Sequence, residues 1–506
     1  MRRTTFGVLT IAAGAAALAV LSRLHHDLAI DEPFTALAVA APASLATTVV
    51  HDNVPAFYLL LLAWTRVFGA TPVALRALSA AAFAAAIVFT AAAAWRVSSG
   101  RAAWLAAFLV ACSVPFGLGP AATVRPYALV LLWSAAALWA SLRAEDTASS
   151  TDAALPLLAS HLLGLFTHPV FVFVSVASAA AGLMARRRRA LLAVVPLAGV
   201  AVYGAVWWPV LERTAALPSR AWMHPPHARE VAAGALFWGD HATLVLAAAM
   251  AVAVAARWRR VDGNTARRVG YAAVVAALTI AGAIAASRLT PVYFAQRTPV
   301  FVLPAVALMF AVTLAELLPA SLAAALALML AVSAARYTML SMRQPDPHPT
   351  RASLAAVAAG AACGDTIVAT GLSYAPVVYY ASAARVPACV RIEPFPAEMR
   401  AHPGWMDVSP DENAAASAAA VELAGRLPAS GSVRVLMETD GIGAEVGRRL
   451  SAALAAERPS QPVTPLRGSF FDSLAVFGGR TNTQQSPTAR RTVYMLRSFL
   501  LAEGQS

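Results

Sequence analysis

The chain has 506 residues, of which 59% are hydrophobic and 13% charged, and its mean hydropathy is +0.64. Soluble globular domains carry about 25% charged residues, so this composition excludes an ordinary soluble protein. All 39 basic residues are arginine, against 26 acidic residues, which gives a net charge of +13. Many arginines stand in short runs between apolar segments. We therefore expect topology signals and contact with anionic membrane lipids, and no nucleic-acid partner.

Apolar segments follow one another along the first two thirds of the chain. The first runs from Phe6 to Leu21 behind Arg2 and Arg3, and no convincing small-residue cleavage site precedes His25. We interpret it as an uncleaved span rather than a signal peptide. A bundle of about eleven transmembrane helices is predicted, although several stretches are shorter than the roughly 20 residues that cross a bilayer core. The later stretches cover about 74–95, 102–119, 126–142, 153–167, 170–185, 190–210, 231–256, 269–287, 298–315 and 319–335.

The arginine distribution predicts the orientation, because basic short loops stay in the cytoplasm. With a cytoplasmic N-terminus, alternation of the spans puts every dense arginine run on the cytoplasmic side: Arg96 with Arg101, Arg143, Arg186 to Arg189, and Arg257 to Arg268. The loops 25–73, 119–125, 211–230 and 288–297 then lie outside, with everything beyond about 336. The Ala- and Arg-rich composition, with no lysine, is typical of a GC-rich bacterial genome, so the expected location is a bacterial inner membrane.

Two domains follow from this pattern: a transmembrane domain, 1–335, with a large first periplasmic loop, 25–73, and a small soluble periplasmic α/β domain, 336–506. Within the loop, Pro55 to Phe68 is apolar but too short to span, so it predicts an amphipathic helix in the membrane interface. The second domain is predicted to have strands at 366–369 and 433–437 and helices at 412–426 and 443–456. Cys363 and Cys389 form a disulfide if this domain is extracytoplasmic, or remain two thiols.

Ionisable and aromatic side chains gather on the predicted outer side. Ionisable groups at or beside membrane depth are energetically expensive, so they are candidates for function. The candidates are Asp31 and Glu32 after the first span, His51 and Asp52 before the interfacial helix, Tyr58 within it, Arg125 and Tyr127 at the fourth long span, His168 between two apolar runs, and Tyr293 and Arg297 before the tenth.

In order and spacing these residues resemble the GT-C glycosyltransferases, which include protein O-mannosyltransferases, the aminoarabinose transferase of lipid A and related bacterial family 39 enzymes. The resemblance rests on the acidic pair Asp31-Glu32, on 52–60 (DNVPAFYLL) and on 124–129 (VRPYAL). A looser match is 291–304 (PVYFAQRTPVFVLP). Together these segments cover roughly residues 1–310.

The resemblance implies an all-α GT-C membrane bundle that transfers a sugar from a polyprenyl-phosphate donor to a glycan, lipid or protein acceptor at the outer membrane face. Such a transfer needs a carboxylate base for the acceptor hydroxyl and cations for the leaving phosphate. Asp31 is the residue implied as base. Arg125 and Arg297 are predicted to bind the phosphate, because a guanidinium offers fixed, paired donors to phosphate oxygens.

The remaining acidic and imidazole groups have several predicted roles. Glu32 holds Asp31 in place, binds acceptor, or helps to bind a divalent cation. His51 and Asp52 complete an acceptor or metal site, with Asp31 and Asp52 as metal ligands, since carboxylate and imidazole ligands suit several ions.

Plainer interpretations stand beside these roles. Acidic residues before Pro33 favour a helix start, and 51–53 suits a helix cap. Arginines near an interface often extend their head groups to water, and Tyr58 and Tyr127 suit an aromatic belt. His168 beside Pro169 suits a packed loop.

Two other functions are compatible with many spans and buried charges: a transporter or flippase of lipid-linked glycans, and an inactive relative that holds glycans or partners. The first is disfavoured because the charged residues cluster at one face rather than near the midplane, where transporter sites usually lie.

Overall fold

The structure is a computed structural model that describes residues 2–29, 31–40, 45–46, 48–49, 55–215, 225–257, 261–289, 292–401, 410–439, 444–468 and 470–479. These residues fall into two compact units. The first unit contains the described residues of 1–24, 49–215 and 223–343, and the second contains those of 25–48 and 344–506. The beginning of the predicted outer loop therefore belongs to the same unit as the C-terminal sheet.

The first unit is helical. Helix α1 (Arg2–Leu21) begins it, and α2 (Glu32–Ala38), next along the chain, belongs to the second unit. The other helices of the first unit are α3 (Pro55–Phe68), α4 (Pro72–Val97), α5 (Gly100–Ala111), α6 (Tyr127–Asp146), α7 (Ser150–Thr167), α8 (Phe171–Gly182), α9 (Arg189–Ala215), α10 (Ala228–Gly234), α11 (Asp240–Arg257), α12 (Gly263–Ala286), α13 (Leu303–Leu317) and α14 (Ala320–Arg343). Helix α3 has the bounds predicted for the interfacial helix.

Six helices of the described residues are long and apolar enough to cross a membrane: α1, α4, α6, α9, α12 and α14. A seventh span results if α5 and the bent segment after it are counted together. Helices α3, α8, α11 and α13 are apolar but shorter. The chain is a multi-pass membrane protein, but the predicted count of eleven spans is not confirmed.

The stretch predicted as one span over 102–119 is broken. Helix α5 ends at Ala111, and a π-helical turn, Val114–Leu118, leads into a short helical segment that ends at Ala121, with a bend of 69°. Pro115 removes a backbone donor at this turn. A Cβ atom on Gly117 would lie 2.8 Å from the carbonyl oxygen of Val110, so the turn needs glycine there. Apolar composition predicted the segment, but its prolines and glycines determine its shape.

Ion pairs connect the ends of three helices in the first unit. The Arg267 guanidinium lies 2.5 Å from a Glu145 carboxylate oxygen, and Arg268 lies 2.5 Å from Asp146 and 3.4 Å from Glu145. Arg96 lies 3.5 Å from Asp146. The end of α4, the end of α6 and the start of α12 are therefore on the same side of the bundle, as the predicted alternation requires. We call these five residues the ion-pair network.

The second unit is built on a five-stranded sheet. Its elements are α15 (Thr350–Ala359), β1 (Thr366–Thr370), α16 (Tyr374–Tyr380), β2 (Arg391–Phe395), α17 (Pro410–Arg426), β3 (Val433–Met437), α18 (Ala444–Ala455), β4 (Thr464–Gly468) and β5 (Phe471–Phe477). The strand order is β2-β1-β3-β5-β4, in which β1 pairs parallel with β2 and β3, and β5 pairs antiparallel with β3 and β4. The predicted strands and helices are present here, although β2, β4 and β5 were not predicted.

The structure contains a disulfide between Cys363 and Cys389 rather than two free thiols. Cys363 and Cys389 are bonded, and their Cα atoms lie 5.0 Å apart. The bond joins the segment before β1 to the segment before β2, so it holds the edge strand to its neighbour.

Candidate functional site

Three connections of the first unit carry four of the predicted site residues. Arg125 and Tyr127 flank Pro126, which stands at the N-terminal cap of α6. His168 is the residue after α7, where Pro169 favours extended backbone and so ends the helix. Arg297 directly precedes a short 3-10 helix, Thr298–Phe301, that leads into α13. A proline directly adjoins Arg125, Tyr127 and His168, and Pro299 lies two residues after Arg297, so proline restricts the backbone close to each of them.

The four residues lie close together in the folded unit. The guanidinium carbon of Arg297 is 5.7 Å from the centre of the Tyr127 ring, and the Tyr127 and His168 rings are 5.9 Å apart. The His168 ring also lies 5.4 Å from the ring of Phe301. The charge of Arg125 acts on His168, as does that of Arg297. We call Arg125, Tyr127, His168 and Arg297 the cationic cluster.

His168 is a neutral member of this cluster. Burial, together with the charges of Arg125 and Arg297, lowers the pKa of His168 to about 3, and burial is the largest cause. The backbone N–H of Val170 donates to Nδ1 of His168 at 3.3 Å. A neutral imidazole with an accepting Nδ1 carries its proton on Nε2, so His168 offers a donor without adding positive charge.

The loop that carries Arg297 is fixed by side-chain hydroxyls. The hydroxyl oxygen of Ser287 accepts the backbone N–H groups of Val292 and Tyr293, at 3.1 and 2.9 Å. Thr298 accepts the N–H of Phe294 at 2.9 Å. The Phe294 ring lies 5.7 Å from the Arg297 guanidinium, which is thus flanked by two aromatic rings. Such contacts stabilise a cation by about 0.5–2 kcal/mol and leave its donors available for an anion.

The cationic cluster and the ion-pair network lie at opposite ends of the first unit. Helix α6 begins at Tyr127 and ends at Asp146, so it joins a cluster residue to a network residue. Its 20 residues extend about 30 Å, which is the thickness of a bilayer core. The two groups are therefore separated by about one membrane thickness.

Two other predicted aromatic residues are buried in the first unit. Tyr58 is fully buried in α3 with its ring 5.2 Å from that of Phe57. Tyr293 is buried with its hydroxyl against Gly234 of α10, where a Cβ atom would lie 2.3 Å from it. Burial raises the pKa of Tyr293, and the charge of Glu230 adds to this.

The acidic pair lies in the second unit, at the start of α2. Asp31 occupies the N-terminal cap position, but its side chain makes no capping hydrogen bond. Its carbonyl oxygen instead accepts from the N–H and the hydroxyl of Thr35, at 3.0 and 2.9 Å. Glu32 is buried and accepts the N–H of Ala29 at 3.1 Å. The capping interpretation of Asp31 therefore does not account for its carboxylate.

The segment before the acidic pair is bound to the C-terminal part of the second unit. The backbone N–H of Asp27 donates to Asp346 at 2.7 Å, and the Asp27 carboxylate accepts the N–H of Arg351 at 2.7 Å. The buried N–H of Leu28 donates to the hydroxyl of Tyr380 at 2.5 Å. These bonds connect residues more than 300 positions apart. Asp27 and Asp346 were not singled out from the sequence, since no local pattern links them, and Tyr380 was considered there only for acceptor binding or core packing.

The predicted acceptor or metal residues His51 and Asp52 lie outside the described residues. Among the residues that the structure describes, no group of three or more His, Cys, Asp or Glu side chains is arranged to hold a metal ion. The described residues thus supply Asp31 as one possible ligand, and the divalent-cation site remains a prediction.

These features define a multi-pass membrane protein with a helical unit and a small mixed α/β unit. No protein-family model and no curated protein matches the chain by sequence. Solved structures do match. Apo ArnT from Cupriavidus metallidurans is 15% identical with a TM-score of 0.57, over 94% of this chain and 99% of that chain. The same protein bound to undecaprenyl phosphate is 15% identical with a TM-score of 0.53, over 95% and 99%.

An oligosaccharyltransferase from Archaeoglobus fulgidus, tethered to an acceptor peptide, is also similar. It is 13% identical with a TM-score of 0.51, over 94% of this chain and 74% of that chain. The chain therefore has the GT-C fold, which confirms the fold resemblance inferred from the sequence.

Proposed function

We propose that this protein is a glycosyltransferase that takes a sugar from a polyprenyl-phosphate donor and transfers it to a glycan, lipid or protein acceptor of the cell envelope. The observation that carries the proposal is the cationic cluster, which gathers Arg125, His168 and Arg297 at one end of a membrane bundle. The GT-C fold supports it, and a structure of similar fold is bound to undecaprenyl phosphate.

The cluster has the chemistry that a lipid phosphate requires. Two guanidiniums supply paired donors and neutralise the charge that grows on the phosphate as it leaves the sugar. The Nε2–H of His168 adds a neutral donor. Each guanidinium is half-buried, so its attraction for an anion is stronger than it would be in open water.

The acidic pair supplies the acceptor side of the proposed reaction. Asp31 takes the proton of the acceptor hydroxyl as the sugar carbon bonds to that oxygen, and the phosphate departs with the electrons of the bond that breaks. Glu32 keeps the start of α2 in position through its bond to Ala29. If a divalent cation is used, Asp31 and Asp52, with His51 beside them, are its proposed ligands.

The proposed site faces the outside of a bacterial inner membrane, with the N-terminus in the cytoplasm. The arginine-rich ion-pair network at the opposite end of α6 supports this orientation through the positive-inside rule. The Cys363–Cys389 disulfide supports an oxidising compartment for the second unit.

A transfer assay tests this function. Purified protein in lipid nanodiscs would receive a synthetic polyprenyl-phosphate sugar and an envelope extract, and mass spectrometry would follow the sugar. We expect transfer by the wild type and by Arg336→Gln, which removes an exposed charge on α14. The Arg125→Gln/Arg297→Gln variant should lose at least about 100-fold, since each charged hydrogen bond contributes about 1.5–3 kcal/mol. Equal transfer by all three proteins would refute the proposal.

A further inference from the structure

The second unit contains a groove that the proposed transfer site does not use. It has a volume of about 410 Å³ and lies between the edge strand β2 and helix α17. Binding sites for small molecules typically occupy about 300–1,000 Å³. The residues that matter for its chemistry are Arg391, Glu393, Phe395, Arg400, Leu423 and Arg426.

The fold explains why these residues share one groove. Arg391, Glu393 and Phe395 alternate along β2, and alternate residues of a strand point to the same face. Leu423 and Arg426 are three positions apart on α17, so they lie on one side of that helix. Phe395 and Leu423 are buried and provide an apolar floor, whereas the arginines are exposed at the rim.

The groove is positively charged. Its lining contains three arginines and one glutamate, which leaves two net positive charges. Arg400 lies 2.5 Å from Glu393, and Arg426 lies 3.7 Å from Glu422, which is outside the groove. Both pairs are solvent-exposed, and exposed ion pairs contribute only about 0–1 kcal/mol. An anionic ligand can therefore replace these carboxylates without a large loss.

The neighbouring Tyr374 adds a phenol beside this charged rim. Burial raises the pKa of Tyr374, and the charges of Arg400 and Glu393 both act on it. Arginines, a phenol and an apolar floor together offer partners for an anionic group and for the mixed polar and apolar faces of a sugar ring.

We propose that this groove binds an anionic saccharide, one that carries a phosphate or a carboxylate. The guanidiniums of Arg391 and Arg426 hold the anionic group, and the apolar floor contacts the sugar ring. This inference does not depend on the proposed transferase activity, because every residue involved belongs to the second unit and none belongs to the cationic cluster.

Calorimetric titration of the full-length chain in neutral detergent tests this proposal. All proteins would carry Arg125→Gln and Arg297→Gln, so that the cationic cluster does not contribute to phosphate binding. The probes are glucose 1-phosphate, glucuronate, glucose and inorganic phosphate. The groove variant is Arg391→Gln/Arg426→Gln. Its control is Arg467→Gln, which removes an exposed charge from β4 at the opposite edge of the sheet.

We expect glucose 1-phosphate and glucuronate to bind at least about tenfold more tightly than glucose, and glucose 1-phosphate more tightly than inorganic phosphate. The groove variant should lose at least about tenfold for both anionic sugars, whereas the Arg467 control keeps them. Glu393→Gln should bind them more tightly, because it removes the competing carboxylate. Unchanged binding by the groove variant would overturn the site. Equal binding of inorganic phosphate and glucose 1-phosphate would overturn its preference for a sugar.

Discussion

The cationic cluster and the acidic pair are held in place by different kinds of contact. In the cluster, a proline within two residues restricts the backbone at each key residue, and neighbouring rings pack around the guanidinium of Arg297. The acidic pair follows a segment that is bound through Asp27 and Leu28 to residues more than 300 positions later. The comparison teaches that local sequence sets the backbone around each cluster residue, although these residues meet only in the fold, whereas the acidic pair depends on hydrogen bonds to a distant part of the chain.

The largest effect is expected at the acidic pair. Asp31→Asn removes the proposed base but keeps the size of the side chain, so sugar transfer should fall about 100- to 10,000-fold. The affinity for undecaprenyl phosphate should stay within about twofold, because the phosphate is assigned to the cationic cluster. Transfer kinetics and lipid binding, measured on the same preparation, check this separation. Full activity of Asp31→Asn would remove the assigned base.

A smaller effect is expected when one cation is lost from the cluster. Arg297→Gln removes charged hydrogen bonds worth about 1.5–3 kcal/mol, which corresponds to a loss of about 10- to 150-fold in undecaprenyl phosphate affinity. Arg297→Lys should recover only part of this, since an ammonium lacks the paired donor geometry. Complete recovery by lysine would show that charge alone is recognised.

The anchor of the acidic pair should respond more modestly. Tyr380→Phe removes the hydroxyl that accepts the N–H of Leu28 and leaves that buried N–H unsatisfied, which costs about 1–3 kcal/mol. Hydrogen exchange of amides in 25–38 should accelerate by up to about 5- to 150-fold, while amides of α6 keep their rates. Tyr379→Phe is the matched control, because it removes a hydroxyl from the adjacent residue. Equal effects of the two variants would contradict the anchoring role of Tyr380.

The smallest effect is expected from pH. Because burial and two arginines hold the pKa of His168 near 3, this group stays neutral from pH 8 to pH 5 in the folded protein. The unfolded chain has a histidine pKa near 6.5, so protonation below that value favours unfolding and does not strengthen binding. Affinity for a phosphate monoanion analogue should change by less than about twofold over this range. A rise of tenfold toward pH 5 would show that His168 becomes charged.

Much of the fold could be predicted because its signals are local. Pro55–Phe68 has the predicted helix bounds, and the apolar strands Thr366–Thr370 and Val433–Met437 stand out from their surroundings. Strand β2 has the sequence RIEPF, and because it contains two charged residues and a proline it lacks the apolar run from which β1 and β3 were predicted. The number of spans was not predictable, since short apolar helices have the same composition as long ones.

The candidate site was predictable only in part. Arg125, Tyr127 and Arg297 were predicted because they lie in segments, 124–129 and 291–304, that resemble the GT-C glycosyltransferases. The neutral state of His168 follows from its burial and from two charges brought to it by folding. The arginines of the ion-pair network were interpreted as topology signals alone, because their partners are distant in sequence: Glu145 and Asp146 are 122 positions from Arg267 and Arg268, and Asp146 is 50 positions from Arg96.

Direct binding of undecaprenyl phosphate, compared with undecaprenol, tests the central claim about the cationic cluster. In nanodiscs of neutral lipid, the phosphate form should bind the wild type at least about tenfold more tightly than the alcohol. The Arg125→Gln/Arg297→Gln variant should bind both equally, and Arg336→Gln should behave like the wild type. A preference for the phosphate that persists in the double variant would contradict the account.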